Sequence, residues 1–579
     1  MSKFSDNKQV AACEEKQAGA QDVLLRDMQR VSQQKKESTT VSRRGFLAGA
    51  ALFGASMTGL AFSGCDGGAA RSTVASETPG AAGQLGELTA GANSAAQISE
   101  TLNADIVVIG SGSTGTAAAV RAAELGAKVI LVEKSSESAY GGSSNLTSGL
   151  FGLGTSVQKE LGIIPPSEQE YFKKSMEYHH GSFNANLFRH FMSNSAQTIE
   201  WYRSLGVEFA GIVLDVFHIY KTESGETREA LQYLKMKAEE FGVQFEFETT
   251  VTEIRLEKDK VSGVIARRDN DDIIAIDAPV VIIGTGGFAA NAEMLEEFTQ
   301  YNYKMFTDVG YPGRNGDGIA MGRALGANLH HPGALNTGSL VVNGAANFVG
   351  GMGGGLPVTR PEVIIVNQDG KRFMNEGFGA DQSYSLNPVS LQAKVFSILD
   401  QAQIDNLINN GYVNWDQSII KYPDLQEKIN EAVDNKDAEA WVADSIEDLA
   451  AKIGIEANEL QKTFDTYNLY VSSGNDLDFL KNSELLRPIK TAPYYAFGLS
   501  EGLMNTVGGL QVDERIRVID VDGKPIPGLY AGGSDAGGLY GFNYDIDTLP
   551  GSMQGWCSTS GRLAAEDAVE NYLLSAAKK

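Results

Sequence analysis

Short apolar runs followed by glycine turns punctuate the chain, and the first forms a complete unit. Ile106-Val107-Val108-Ile109, preceded by Asp105, reads as a buried strand running into Gly110, Ser111, Gly112, Ser113, Thr114 and Gly115. The Ala-rich segment from Thr116 to Leu125 predicts a helix stopped by Gly126, and Lys128 to Val132 predicts a second strand ending at Glu133. Val280 to Ile283 repeats the strand pattern ahead of Gly284, Thr285, Gly286, Gly287 and Phe288, and Ile319 to Leu325 predicts a helix behind Gly316-Asp317-Gly318. Further on, Ser445 to Ile453 and Ala457 to Tyr467 are charge-rich and helical, with their polar faces expected in solvent. Near the end, Pro527 and Gly528 are expected to set a turn before an apolar strand.

An apolar run of another kind lies near the N-terminus. Ala48 to Ser63 is small and apolar, has no polar face, and follows Ser42-Arg43-Arg44-Gly45-Phe46-Leu47. Twin arginines ahead of such a run resemble a twin-arginine export signal more than a short core helix. Cys65 follows Phe62-Ser63-Gly64, close to a lipoprotein cleavage box, although Phe62 stands where that box prefers Leu, so lipidation stays open. The stretch after it is rich in Gly, Ala, Ser and Thr. The expected organisation is therefore a signal region over 1–65 and a flexible linker without chemistry over 66–102. The implied location is the periplasm or the outer face of the cytoplasmic membrane, with the export machinery as a partner.

Composition narrows the chemistry. At 579 residues the chain holds two or three domains. A net charge of −25 argues against nucleic acid and against anionic membrane surfaces, because phosphates need a positive footprint. Three cysteines, Cys13, Cys65 and Cys557, are too scattered for a disulfide framework, a metal site or an iron–sulfur cluster, and no C-x-x-C-H motif provides a haem.

The first glycine turn points to a dinucleotide. Its glycines let backbone amides approach a pyrophosphate at a helix N-terminus, where the partial positive charge favours the anion, and Glu133 would accept hydrogen bonds from the adenosine ribose. A structural turn uses the same residues. The flanking strands and the spacing to Glu133 favour the cofactor.

Later motifs resemble the fumarate reductase flavoproteins. Gly141, Gly142, Ser143, Ser144 and Asn145 with Ser148-Gly149 are similar to that family's second flavin-contacting loop, and the Gly284 to Phe288 segment and Gly316-Asp317-Gly318 also match it. Val507-Gly508-Gly509-Leu510, then Ile526 to Gly533, then Gly537-Gly538 and Gly561 to Ala565 follow in the family's order. The resemblance spans about 103–570. It implies an α/β fold: a Rossmann-type FAD-binding domain over 103–329 and 501–579, with an inserted α+β capping domain over 330–500 that closes over the flavin. Non-covalent FAD is implied, with Lys134, Thr285, Gly286, Gly287, Asp317, Gly509, Gly533, Ser534, Ser552 and Met553 joining the first two loops as cofactor-binding positions.

The substrate motifs depart from the family. His331-Pro332 and Arg372-Phe373-Met374-Asn375-Glu376 match, but Ala380 replaces the proton-donating arginine, Asn505 replaces a substrate-binding histidine, and Tyr544 replaces a carboxylate-binding arginine. Asp545 and Asp547 add negative charge. A dianion without bidentate arginines is poorly paired, so fumarate is disfavoured. The expected acceptor is small, neutral or aromatic, held by His331, Phe378, Met504, Asn505 and Tyr544, with Tyr540 and Phe542 adding aromatic surface. Asn543-Tyr544 is also similar to a segment of the 3-ketosteroid dehydrogenases. The expected reaction is reduction of an activated carbon–carbon double bond, with Tyr544 the first candidate acid and Tyr540, Asp381 and His331 behind it. For these side chains the competing reading is structural: packing for Tyr544, a cap or turn for Asp381, an ion pair for Glu376.

No second fingerprint for NAD(P)H appears, which implies an external donor protein, a cytochrome or FMN carrier, in anaerobic respiration. The alternatives are a 3-ketosteroid-type dehydrogenase running in the oxidative direction, and a non-catalytic flavoprotein for ligand binding or electron relay.

Overall fold

The computed structural model describes residues 98–222, 228–345, 357–377, 386–413, 419–546 and 548–577. The expected export signal, Cys65 and most of the expected linker lie outside the described residues, as do Phe378, Ala380, Asp381 and Asp547. Among the described residues no helix is long and apolar enough to cross a membrane.

A six-stranded sheet carries the glycine turns. Its order is Arg517–Ile519, Pro525–Ala531, Val280–Ile283, Ile106–Ile109, Val129–Val132 and Gln244–Glu246. All neighbours are parallel except the first pair. The three central strands are buried on both faces, which is why they read as unbroken apolar runs rather than alternating ones. Helix Ser113–Glu124 crosses from one strand to the next and packs against helix Ser552–Glu566, where a Cβ on Gly561 would stand 2.2 Å from Thr114 O.

Local boundaries differ from the sequence reading in instructive ways. The first helix begins at Ser113, not Thr116, because extended Gly112 at φ −61°, ψ 177° is its N-cap. Pro527 and Gly528 do not form a turn but lie inside strand Pro525–Ala531, where Gly528 at φ +85° passes close to Pro279 O. The hairpin turn instead falls at Asp520–Lys524, where Gly523 supplies a positive φ. The expected linker is already ordered by Glu100, since Glu100–Asn103 pairs in parallel with Ile273–Asp277.

A second sheet is built around one long strand, Tyr494–Thr506, which pairs with Phe306–Asp308, Leu335–Val342, Val395–Asp400 and Ala440–Ala443. Ile364–Asn367 extends it beyond Val395–Asp400. Helices Ile446–Ile453 and Ala457–Ser473 are not merely solvated: Leu449, Ile453, Leu460, Phe464 and Tyr467 seal this sheet's core. Beside them Arg372 donates to both Glu376 oxygens at 2.7 Å and to Asp476 at 2.9 Å, all three side chains being buried. Glu376 is thus a structural ion pair. Lys481 closes the cluster by donating to Val363 O at 2.7 Å, and its burial lowers its pKa to about 8.

Candidate active site

Where the glycine turns converge, the chain encloses a cavity of about 400 Å³. The range is typical of small-molecule and cofactor clefts. At one end the backbone itself forms the wall. Gly110 adopts φ +97°, and a Cβ there would stand 2.4 Å from Gly284 O; a Cβ on Gly115 would stand 1.8 Å from Gly110 O. Only glycine allows the turn and the helix to sit this close to the sheet. Glu133 closes that end, its carboxylate accepting from Ser111 N and Ser135 N, both at 2.8 Å. Lys134 in the same wall pairs with Asp317 at 2.6 Å.

Two loops cover the middle. Ser144 Oγ accepts from Ser113 N at 3.0 Å, and Ser143 Oγ accepts from Tyr311 N at 3.1 Å, tying the second glycine loop to both neighbours. Across from them, buried Asp535 accepts from Thr285 Oγ1 at 2.8 Å and from Gly286 N at 2.9 Å, which holds the third glycine turn in place. Burial pushes the Asp535 carboxyl up despite these bonds.

Away from the glycine turns the wall is made of side chains from distant segments: Asn336, Met504, Asn505, Ser534, Tyr544, Ile546 and Met553, with Phe217 and Leu214 flanking, while Cys557 lies beside Thr114 of the first turn. The Tyr544 hydroxyl accepts from Gly551 N at 3.1 Å and donates to Leu549 O at 3.4 Å, and burial pushes the phenol up to about 12. It is a neutral phenol across the physiological range. Asn505 Nδ2 donates to Ser534 Oγ at 3.0 Å.

The structure gathers most, not all, of the sequence-predicted positions. Gly110, Ser111, Gly112, Ser113, Thr114, Glu133, Lys134, Gly142, Ser143, Ser144, Thr285, Gly286, Ser534 and Met553 line the cavity, with Met504, Asn505 and Tyr544 at its far end. Gly115, Gly141, Gly149, Gly287, Gly509 and Gly533 stand one layer back, where they permit close packing; a Cβ on Gly149, for example, would stand 1.9 Å from His218 O. Asp317 is placed behind Lys134, and Ser552 behind Tyr544, its Oγ 2.7 Å from the Tyr540 hydroxyl. Tyr540 does not line the wall. It is buried edge-on to Tyr544 at 5.5 Å, with its phenol pushed far up. His331 is also off the wall, stacked on His330 at 4.7 Å and edge-on to Phe542 at 5.8 Å.

Arg314 is the main residue that motif reading missed. It lines the cavity and is buried, but its guanidinium donates to Tyr311 O at 2.7 Å, to Met504 O and to Asp308. The signal was present: a cation inside the glycine turn Gly313-Arg314-Asn315-Gly316. Asn336 gave no such signal, since it sits in a strand with no motif.

A family model described as an FAD binding domain matches residues 105–545. The chain belongs to this FAD-binding family. FAD is its cofactor, and the cavity suits one: a glycine cradle at a helix N-terminus for the pyrophosphate, an acid for the ribose, and at the loop Ser148 Oγ, buried in the wall with no protein partner. The chain is 32% identical to the vinyl phenol reductase of Lactiplantibacillus plantarum, over 80% of this chain and 96% of that one. It is 29% identical to a fumarate reductase (cytochrome) of Shewanella frigidimarina, over 80% and 77%. Among solved structures, the open conformation of a flavocytochrome c3 fumarate reductase shares the fold, with a TM-score of 0.63 and 24% identity over 82% of this chain and 79% of that one. Both FAD-binding relatives carry reductase names. This member is an FAD-dependent oxidoreductase acting on carbon–carbon bonds in small organic molecules.

Proposed function

We propose that the protein reduces an activated carbon–carbon double bond in a neutral organic acceptor other than fumarate. The observation that carries this reading is the charge at the far end of the cavity. Among the described residues, the one arginine in the wall is Arg314, and its guanidinium is committed to Asp308 and two carbonyls. A dicarboxylate would find no bidentate partner there, and buried Asp545 would repel it. Tyr544, Met504 and Asn505 instead offer apolar and neutral polar surface. The likeness to a vinyl phenol reductase over nearly its whole length points the same way.

When bound and reduced, FAD supplies a hydride to one alkene carbon; the adjacent carbon then needs a proton. Tyr544 is placed to give it. Burial keeps its phenol protonated, Leu549 O and Gly551 N hold its oxygen, and the Gly551 N–H would stabilise the phenolate left behind. Ser552 touches Tyr544 and bonds Tyr540 at 2.7 Å, so a row of hydroxyls stands ready to return the proton. In this reading Tyr540 is a relay rather than the acid.

The same reading takes FAD as non-covalent, because among the described residues no histidine lines the wall and burial pushes the Cys557 thiol up to about 11. It takes 103–329 and 501–579 as the FAD-binding part and 330–500 as the cap, the strand Tyr494–Thr506 passing from one to the other. The twin arginines support export, and the lack of a second nucleotide fingerprint supports an external electron donor.

The test is anaerobic. Chemically reduced enzyme is mixed with styrenes, enones, cinnamates and fumarate while flavin absorbance is followed. Rapid reoxidation by a neutral alkene and slow reoxidation by fumarate is expected; the reverse order would end the proposal.

A further inference from the structure

We propose that His179 is the point at which solvent protons enter the row of hydroxyls that reloads Tyr544, so that it acts on the reaction through Tyr540. The inference rests on the double-bond reductase reading and adds to it the route of the proton.

The need for a route follows from where Tyr544 stands. Each reduction takes one proton from its phenol, and the side chain is 6% exposed, in a wall that FAD and the acceptor cover. The replacement proton therefore comes from behind the wall. There Ser552 touches Tyr544, and its Oγ lies 2.7 Å from the hydroxyl of buried Tyr540. Beyond Tyr540 stands His179, the C-cap of helix Glu168–Tyr178, edge-on to the Tyr540 ring with centroids 6.3 Å apart. The same helix end is tied to the reacting loop, because the Tyr178 hydroxyl donates to Tyr544 O at 3.5 Å.

Two observations separate His179 from a packing residue. It is 1% exposed, yet neither Nδ1 nor Nε2 has a partner in the protein. Ring nitrogens left in that state are costly unless ordered water serves them. Room for such water lies beside Gly541, where a Cβ would stand 3.2 Å from His179 Nδ1 and 2.1 Å from Ser182 Oγ. Without that side chain the two polar atoms share one space, and half-buried Ser182 opens it towards the surface. Exposed His180 follows in the chain, and both it and half-buried His331 are near enough to lower the His179 pKa. Phe183 and Tyr178 close the remaining sides as ring neighbours.

Burial keeps the imidazole neutral, so it offers one N–H and one free nitrogen at the same time. The protons then balance along the row. Tyr544 gives its hydroxyl proton to the alkene carbon, Ser552 resupplies Tyr544, and Tyr540 resupplies Ser552. His179 resupplies Tyr540 through water from one nitrogen while the other takes a proton from solvent, and a flip of the ring restores the first tautomer. One solvent proton is consumed for each double bond reduced.

The test uses the FAD-loaded enzyme and compares the first turnover, which spends the proton already on Tyr544, with later ones. Reduced enzyme is mixed with 2-cyclohexenone, styrene or methyl cinnamate for a single turnover, and the same acceptors are followed at steady state with excess reduced methyl viologen. In His179→Leu the first turnover should stay within about twofold of wild type while steady-state turnover falls at least about tenfold. His179→Ala should show the same split and regain turnover with added imidazole, a rescue that lost packing alone would not permit. If neither variant folds, Gly541→Ala fills the space beside Nδ1 and should give the split instead. Steady-state turnover near wild type, or first and later turnovers slowed by the same factor, would overturn the relay. The reductase reading fails in a different way: none of the three acceptors would reoxidise the reduced flavin of wild type, and the relay would fall with it.

Discussion

The two ends of the cavity are built by opposite means. At the Glu133 end the contacts are made by backbone: Gly110 and Gly115 fit because they lack a Cβ, and the carboxylate is gripped by the amides of Ser111 and Ser135. At the Tyr544 end the wall is side chain, and oxygens of Asn336 and Asn505 still lack donors. An anion such as a pyrophosphate is bound well by amides at a helix N-terminus whatever side chains surround them, so this half can stay the same while the reaction changes. In the proposed reading, substrate choice rests on a few neutral groups at the other end, where exchanging single residues trades one acceptor for another.

The contrast can be broken most forcefully at the Tyr544 end. Tyr544→Phe should lower turnover about a thousandfold, the range lost with a general acid, with FAD retained. Stopped-flow flavin reoxidation reads it, and near-wild-type turnover would reduce Tyr544 to a packing residue. Next in size, Gly115→Ala places a methyl group 1.8 Å from Gly110 O. The displacement should weaken FAD binding about a hundredfold, on the order of 3 kcal/mol, read as loss of flavin from the purified protein. Unchanged affinity would show that the turn is not the grip.

A third expectation concerns pH. His179 packs against Gly541 and edge-on to Tyr540, both ring nitrogens lack partners, and burial lowers its pKa to about 4. Between pH 6.5 and 4 the unfolded chain takes up a proton there that the folded chain refuses, so stability is present above this window and lost as pH falls through it. The loss should be no more than about 3 kcal/mol, and His179→Leu should flatten this part of the curve in acid unfolding experiments. An identical slope in the variant would assign the acid sensitivity to other groups. The smallest effect belongs to Glu133→Gln. It should weaken FAD binding about tenfold and leave the rate of FAD-saturated enzyme unchanged, which separates cofactor affinity from chemistry. A rate that falls at saturation would mean the two ends are coupled.

The glycine-turn half was largely legible in the chain. The strand Val280–Ile283 appears where its apolar run begins and ends, and the first helix was misplaced only at its start, since Gly112 acts as cap rather than loop. Tyr544 was legible as a departure from a motif. Arg314 was legible only as a cation inside a glycine turn, because nothing in its neighbours says that its charge is spent on Asp308 and Met504 O. Tyr540 looked equivalent to Tyr544, and its withdrawal behind Ser552 shows only in three dimensions.

The amino-acid sequence alone determined the fold class, the glycine cradle and the neutral character of the replaced substrate positions. These depend on backbone conformation and residue type, which neighbours within a few positions constrain. Tertiary structure decided which phenol faces the cavity, that the arginine in its wall is neutralised, and that Asn336 and Asn505 meet. Those outcomes depend on the register between strands far apart in the chain. A one-residue slip of Leu335–Val342 against Tyr494–Thr506 would turn the amide oxygens away while leaving every local pattern intact.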